Sequence, residues 1–228
     1  MSTLGTGASL DTSAGPRGGT AQPGARLPRS QRRAQLLAAA QAVFTANGYH
    51  AASMDEIAER AGVSKPVLYQ HFPGKLELYL ALLDTQTEAL AGVVRAALES
   101  PLEPANDNRA RVHAVLNAFF EFVGRARGED GGGAFRLIFE TDLGNEPAVK
   151  ARVDGVLSAT AQAVARTVAA DTGLDAMRAE LLGTALTGAA QVAARWWLAN
   201  DQALPQAEAV QVLETLMWRG ISNFPLHA

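Results

Sequence analysis

The 228-residue chain contains no cysteine, which excludes a disulfide framework, a thiolate nucleophile and a thiolate metal site. It also lacks a long apolar run, because residues 181–199, the best candidate, are interrupted by Thr184, Thr187, Gln191 and Arg195. That stretch predicts a buried core helix and not a membrane span. No strand pattern and no internal repeat are present, so we expect an all-α protein in the cytoplasm, without a membrane partner.

The net charge of −3 is divided unevenly along the chain. Residues 26–80 contain seven basic and four acidic residues, whereas residues 81–228 contain 12 basic and 18 acidic residues. This asymmetry directs the first part of the chain toward a polyanion and the second part away from one.

The first 25 residues are mostly Gly, Ser, Thr, Ala and Pro. Such a segment cannot bury enough apolar surface to become ordered, so we predict a disordered tail at 1–25. It lacks the apolar segment of a signal peptide. The basic cluster that follows suits either an arm in the DNA minor groove or the solvated start of a helix; it comprises Arg26, Arg29, Arg32 and Arg33.

Residues 48–78 have the pattern of short helices around a glycine turn. Ser53 and Glu56 form a capping box that starts one helix, and Gly62 follows the last apolar residue of that helix. Ser64 is the predicted cap of the next helix. The arrangement predicts a helix-turn-helix whose second helix enters the DNA major groove, although an ordinary αα-corner with a solvated polar face has the same pattern.

The polar residues of this region predict the DNA contacts. Side-chain donors suit phosphates and base edges, and helix N-termini offer free amides to phosphates. We expect Gln70 or Lys65 to read bases and Lys75 to bind a phosphate. The predicted contact residues are Arg29, Arg33, Ser53, Ser64, Lys65, Pro66, Val67, Tyr69, Gln70, His71 and Lys75.

The same region resembles the DNA-binding signature of TetR-type bacterial transcription regulators. The resemblance is carried by Gly48-Tyr49, Ser53-Met54, Ile57, Val63-Ser64, Pro66, Leu68-Tyr69, His71-Phe72, Lys75 and Leu78. One position departs, because Gly74 stands where the family usually has Asn, Ser or Asp, but glycine is itself an acceptable helix cap. The resemblance implies a DNA-binding domain at 26–74, a ligand-binding and dimerisation domain at 75–228, and operator DNA as the partner.

Apolar spacing and capping residues together predict nine helices. Their expected ranges are 30–47, 54–61, 65–71, 75–98, 109–125, 134–141, 147–171, 175–200 and 205–222.

The last two predicted helices are rich in small residues, which allow helix axes to approach closely. A helix-turn-helix regulator normally needs two copies to span its half-sites, so we expect a homodimer through these helices, as the resemblance also implies. The alternative is that the small residues pack the core of one chain. The predicted interface residues are Leu182, Leu186, Gly188, Val210, Leu213, Met217 and Gly220.

Phenylalanines concentrate on the fifth and sixth predicted helices. As a cluster they suggest an apolar pocket between helices, although each one alone suits core packing. Arg136 and Arg195 are candidates for an anionic head group or for exposed surface charges. The predicted ligand-binding residues are Phe119, Phe120, Phe122, Phe135, Ile138, Phe139, Leu157 and Trp196.

A closer resemblance is to actinobacterial TetR-type regulators of fatty acid synthesis, which sense long-chain acyl-CoA. It rests on the runs 65–72, 76–80, 135–140 and 194–198, which read KPVLYQHF, LELYL, FRLIFE and ARWWL. It implies a regulator of lipid biosynthesis genes with long-chain acyl-CoA as effector and no cofactor. The alternative is a repressor of efflux or catabolic genes with another hydrophobic effector.

An enzyme is not expected. The acidic part offers only His113, Ser158 and scattered carboxylates, without the spacing of a catalytic triad or of metal ligands.

Overall fold

The computed structural model describes residues 27–101, 108–125, 134–139, 143–200 and 202–219, with the backbone alone at 134–136. Every regular element within these ranges is a helix: α1 (Arg29–Ala51), α2 (Met54–Arg60), α3 (Lys65–His71), α4 (Lys75–Glu99), α5 (Asn108–Gly124), α6 (Ala134–Phe139), α7 (Pro147–Thr172), α8 (Ala176–Ala199) and α9 (Gln206–Arg219). The predicted all-α class is confirmed, and the helix boundaries agree to within a few residues. The predicted disordered tail lies outside the described ranges.

The three N-terminal helices form one small core. Leu36, Phe44, Ile57, Leu68 and Phe72 are all buried there. We call α1, α2 and α3 the head. α4 then leaves the head and enters the bundle formed by α4 to α9, and α7 and α8 pair there as a long antiparallel hairpin.

Two glycines end helices of the head where the sequence predicts. α1 bends at Gly48, whose φ is +74°, and one further turn follows before α2. At Gly62, φ is +63°. Its N–H donates to the Glu59 carbonyl oxygen at 2.9 Å, and the Val63 N–H donates to that of Ala58 at 3.0 Å. These two bonds form a Schellman motif, which turns the chain sharply from α2 into α3.

The α7–α8 hairpin depends on a close backbone approach at Gly183. A Cβ atom there would lie 2.4 Å from the carbonyl oxygen of Ala161 and 2.9 Å from the Cβ of Ala165. Part of the small-residue pattern on α8 therefore serves packing within the protomer, as does buried Ala194. No described helix is both long enough and apolar enough to cross a membrane.

We expect Gly183→Ala to destabilise the protein by about 1–3 kcal/mol, because the added methyl would push α7 and α8 apart. Gly155→Ala is the matched control, since Gly155 is exposed on α7 and a Cβ there would meet nothing within 4 Å. It should stabilise by about 0.5–1 kcal/mol through helix propensity alone. Urea unfolding at one protein concentration measures both. Equal effects of the two substitutions would contradict the close approach.

Candidate nucleic-acid interface and ligand cavity

The exposed face of α3 carries the polar residues predicted to meet DNA. Leu68 is buried against the head, while Lys65, Tyr69 and Gln70 are exposed, Tyr69 to 47%. Pro66 is also exposed, and Val67 is half-buried. The helix therefore presents donors and an aromatic ring to solvent along one face, which is the arrangement that a recognition helix requires.

The two serines at the helix starts of the head behave differently. The Ser53 hydroxyl accepts the Glu56 N–H at 3.1 Å, as predicted for the cap of α2. The Glu56 carboxylate accepts from Asn47 Nδ2 at 2.8 Å. Ser64 occupies the cap position of α3 but makes no side-chain capping bond, so the predicted capping bond is wrong.

Basic side chains surround one end of α3. The Arg33 guanidinium lies 4.5 Å from the centroid of the Phe72 ring, which fixes that cation against the head. His71 is half-buried, and burial, then the charges of Arg29, Arg33 and Arg32, lower the pKa of its imidazole below the ordinary value of 6.5. His71 is therefore neutral at pH 7, while the three arginines keep this end of the head positive.

Lys65, by contrast, has an acidic neighbour. Its Nζ lies 2.6 Å from Asp55 Oδ2, and both side chains are about 60% exposed. An exposed ion pair of this kind is worth little, so Lys65 can exchange Asp55 for a phosphate or a base edge at small cost.

Lys75 does not extend into solvent as a phosphate ligand would. Its Nζ donates to the carbonyl oxygens of Tyr49 at 2.8 Å, His50 at 3.3 Å and Ala52 at 2.9 Å. It also lies 4.5 Å from the centroid of the Tyr49 ring. Three carbonyls use all three donors of an ammonium group. The structure thus corrects the predicted phosphate contact, because Lys75 closes the negative C-terminal end of α1.

We therefore expect Lys75→Gln to destabilise the protein by about 2 kcal/mol, through the loss of hydrogen bonds to a charged donor. Lys65→Gln, which removes only an exposed pair, should change the unfolding free energy by less than about 0.5 kcal/mol. Thermal or urea unfolding measures this difference. If Lys75→Gln instead left stability intact and flattened the log-log salt slope of DNA binding by about 0.9, Lys75 would be a phosphate ligand after all.

An apolar cavity of about 210 Å³ lies in the bundle, at the end of α4 remote from the head. It is lined by residues of α4, α5, α7, α8 and α9. Its wall consists of Val94, Leu98, Asn108, Arg111, Val112, Val115, Leu116, Phe119, Thr160, Val164, Thr167, Val168, Asp171, Thr172, Leu186, Thr187, Ala190, Met217 and Trp218. Aliphatic side chains dominate this wall. The spacing of the valines on α5 and α7 could have indicated it in the sequence, but the prediction followed the phenylalanines instead.

Of the predicted pocket residues, only Phe119 lines this cavity. Phe120 and Ile138 are buried core residues, and the Phe120 ring packs 5.2 Å from that of Trp197. Trp196 is 55% exposed. Phe122, Leu157 and Phe139 are half-buried and do not line it either. The structure does not describe the side chain of Phe135.

Of the two arginines considered for an anionic head group, the structure describes the side chain of Arg195 alone. Arg195 is exposed and donates from Nη2 to the Phe139 carbonyl oxygen at 3.4 Å, which ties α8 to α6. It does not line the cavity. At Arg136 the structure describes the backbone and not the side chain.

The predicted interface residues divide into several groups. Val210 and Leu213 are buried within the protomer, so the structure removes them from any seam between subunits. Leu186 and Met217 line the cavity. Leu182 is exposed, and Gly188 has open space around it. Gly220 lies outside the described residues.

An exposed apolar stripe on α8 and α9 was missed by the sequence reasoning. It comprises Met177, Leu181, Val192 and Trp196 on α8, and Val212, Leu216 and Trp218 on α9. The α8 members recur at intervals of four and eleven residues, so they share one helix face. This spacing was available in the sequence, but the prediction rested on the small residues of α8 and not on its exposed apolar residues.

A buried carboxylate joins α5 to α9 beside the cavity. Glu214 is only 6% exposed and accepts from Arg109 Nε at 2.5 Å, and its other oxygen lies 2.8 Å from His113 Nδ1. Burial raises the pKa of the Glu214 carboxyl, but the hydrogen bonds and charges of Arg109 and His113 outweigh it, and the net pKa is lowered. His113 thus has a structural partner, and the described residues contain no metal-binding group of three acidic or histidine side chains.

Residues 36–82 match the family model described as bacterial regulatory proteins, tetR family. Over 211 residues the chain is 46% identical to the HTH-type transcriptional activator FasR of Mycolicibacterium smegmatis, and the match covers 92% of each chain.

Solved structures share the fold. A TetR-like transcriptional regulator from Rhodococcus sp. RHA1 matches with a TM-score of 0.68 and 29% identity, over 87% of this chain and 100% of that one. FadR from Bacillus subtilis, solved in complex with stearoyl-CoA, matches with a TM-score of 0.62, over 82% of this chain and 98% of that one. At 19% identity, the second likeness concerns the fold alone.

Proposed function

Since this chain belongs to the TetR family of bacterial transcription regulators, which are DNA-binding proteins and not enzymes, we propose that it controls lipid biosynthesis genes in response to long-chain acyl-CoA. In this proposal residues 26–74 bind operator DNA and residues 75–228 bind the acyl chain and form the homodimer. The acyl chain occupies the cavity between α4, α5, α7, α8 and α9, and its binding changes the affinity for the operator.

The lining of the cavity carries the proposal. Its α5 wall runs from Asn108 to Phe119, which by helical rise is about 16 Å. An engineered apolar cavity of about 150 Å³ holds one benzene ring, so a volume of about 210 Å³ accommodates part of a long acyl chain. A hydrocarbon segment suits its mainly aliphatic wall.

The relatives support the same ligand class. The 46% identity with FasR extends over the bundle as well as the head, so the likeness includes the helices that enclose the cavity. The Bacillus subtilis protein, which shares the fold, was solved in complex with stearoyl-CoA.

To change operator affinity fifty-fold, the effector must bind the two arrangements of the head with affinities that differ fifty-fold, a coupling of about 2.3 kcal/mol.

The DNA contact in this proposal comes from the exposed face of α3 and from the arginines beside it. Tyr69 and Gln70 meet base edges, and Lys65 exchanges its Asp55 partner for the DNA. Arg29 and Arg33 neutralise phosphates.

A gel shift at fixed operator concentration tests the effector, with acyl-CoAs of increasing chain length beside free fatty acid and free coenzyme A. We expect release from DNA to strengthen with chain length. Phe119→Trp reduces the space in the cavity, so it should weaken the binding of long-chain acyl-CoAs more than that of short-chain ones. It should leave operator binding of the ligand-free protein intact.

Phe122→Trp is the matched control, since Phe122 is on the same helix but does not line the cavity. Its chain-length profile should match that of the wild type. Release that ignored chain length, or that did not occur at micromolar long-chain acyl-CoA, would overturn the fatty-acid assignment and favour a different hydrophobic effector.

We assign the homodimer seam to the exposed apolar stripe of α8 and α9. Exposed apolar side chains that recur on one helix face favour an interaction surface, and two copies are needed to reach half-sites about 34 Å apart. Gly188 lies on the same face of α8 as Met177 and Leu181, and in the protomer a Cβ there would meet nothing within 4 Å. In this proposal the missing side chain of Gly188 lets another subunit approach α8 closely.

Gly188→Leu should weaken the dimer by about 1–3 kcal/mol through overpacking, while each protomer keeps its fold. Gly155→Leu, on the open surface of α7, should leave the dimer unchanged. Light scattering over a dilution series measures the dissociation, and circular dichroism checks the fold. A Gly188→Leu protein as dimeric as the control would place the seam elsewhere.

A further inference from the structure

Three residues that line the cavity each have a buried side-chain polar atom without a hydrogen-bond partner among the described residues. These atoms are Oδ1 of Asn108, Nε of Arg111 and Oγ1 of Thr187. Five buried side-chain atoms in the described ranges lack a partner, and three of the five belong to residues that line this one cavity. A buried polar group without a hydrogen-bond partner lowers stability. When several such groups lie at one place, they indicate that a hydrogen-bonding ligand is absent from the free protein.

The arginine is held in place by a different part of its side chain. Arg111 Nη1 donates to the carbonyl oxygen of Leu98, at the end of α4. This bond fixes the guanidinium beside the first turn of α5, where Asn108 also lies, and leaves Nε without a partner. Thr187 contributes its hydroxyl from α8. The neighbouring Thr167 shows the contrast, because its hydroxyl donates to the Ala163 carbonyl oxygen at 3.3 Å.

The three atoms define the chemistry of their complement. Arg111 Nε only donates, the Asn108 carboxamide oxygen only accepts, and the Thr187 hydroxyl does either. A carboxylate offers acceptors alone and would set its lone pairs against Asn108 Oδ1. A secondary amide offers one N–H and one C=O, so it supplies both the donor that Asn108 Oδ1 lacks and the acceptor that Arg111 Nε lacks.

We propose that Asn108, Arg111 and Thr187 form a hydrogen-bonding subsite that takes a secondary amide of the effector. The proposal rests on the proposed function, because the arm that joins an acyl chain to its nucleotide in acyl-CoA carries two secondary amides. The ligand then lies in one direction: the amide is held by the first turn of α5, beside exposed Asp171 and Thr172, and the acyl chain runs toward Phe119.

Three probes with the same acyl chain separate the subsite from the apolar wall: palmitoyl-CoA, S-palmitoyl pantetheine, which keeps the amides without the nucleotide, and the S-ethyl thioester of palmitic acid, which has no amide. Binding is followed by tryptophan fluorescence, since Trp218 lines the cavity. Thr187→Val should weaken both amide probes about fivefold, the loss of one hydrogen bond, and leave the thioester unchanged. Thr187→Ser should restore wild-type affinity.

A second measurement needs no ligand. Because Thr187→Val removes an unpartnered hydroxyl, it should raise the Tm of the free protein by about 2–4 °C while it weakens the amide probes. A purely structural threonine would not move these two quantities in opposite directions. Thr167→Val loses an existing hydrogen bond, so it should not raise the Tm. It should change the affinity for all three probes by the same factor.

The outcomes separate the subsite from the proposed function. If the wild type binds all three probes and Thr187→Val affects them equally or not at all, the subsite is wrong and the acyl effector stands. An unchanged or lower Tm in Thr187→Val also overturns the subsite. If the wild type binds no probe, the acyl effector itself is wrong and the amide subsite falls with it.

Discussion

The bond between Lys75 and the end of α1 determines how the head sits on the rest of the molecule. One ammonium group meets three carbonyl oxygens at the C-terminal end of α1, where carbonyls lack partners within the helix. Lys75 is also the first residue of α4, so the same residue closes the end of α1 and begins α4. The orientation of α3 toward DNA therefore follows from the direction of α4, since the head cannot turn without breaking this contact.

α4 reaches from this contact to the cavity. Val94 and Leu98 line the cavity, and Leu98 lies about 35 Å from Lys75 by helical rise. Along the way, the Tyr79 hydroxyl donates to the Leu137 carbonyl oxygen of α6, and its ring packs 5.2 Å from that of Phe44 in α1. Arg152 of α7 holds Asp84 at 2.5 Å near the middle of α4. A chain that displaces one end of a helix held in this way shifts the other end, which connects ligand to head within the proposed function.

Local signals predicted the helices well, because caps and glycine stops act over a few residues. Ser53 and Gly62 are examples, and Asp175 caps α8 by accepting the Arg178 N–H at 3.0 Å. Long-range contacts were not predictable in the same way. Nothing near Lys75 in the chain shows that three carbonyls more than 20 residues away occupy it.

The candidate sites show a second limit of sequence reasoning. Apolar spacing indicates that a residue is buried, but it does not distinguish a wall beside a cavity from a wall beside another side chain. Phe119 and Phe120 are neighbours with opposite outcomes. α9 is apolar on two faces, so the sequence could not decide that Val210 and Leu213 face the protomer while Val212 and Leu216 face outward.

The close approach at Gly183 also limits which substitutions this chain can accept. The atom that a new methyl group would meet is the backbone oxygen of Ala161, and no replacement of the side chain at 161 can remove it. A larger residue at 183 can therefore be accepted only if the backbones of α7 and α8 move apart, so substitution at this position is tied to the spacing of the whole hairpin.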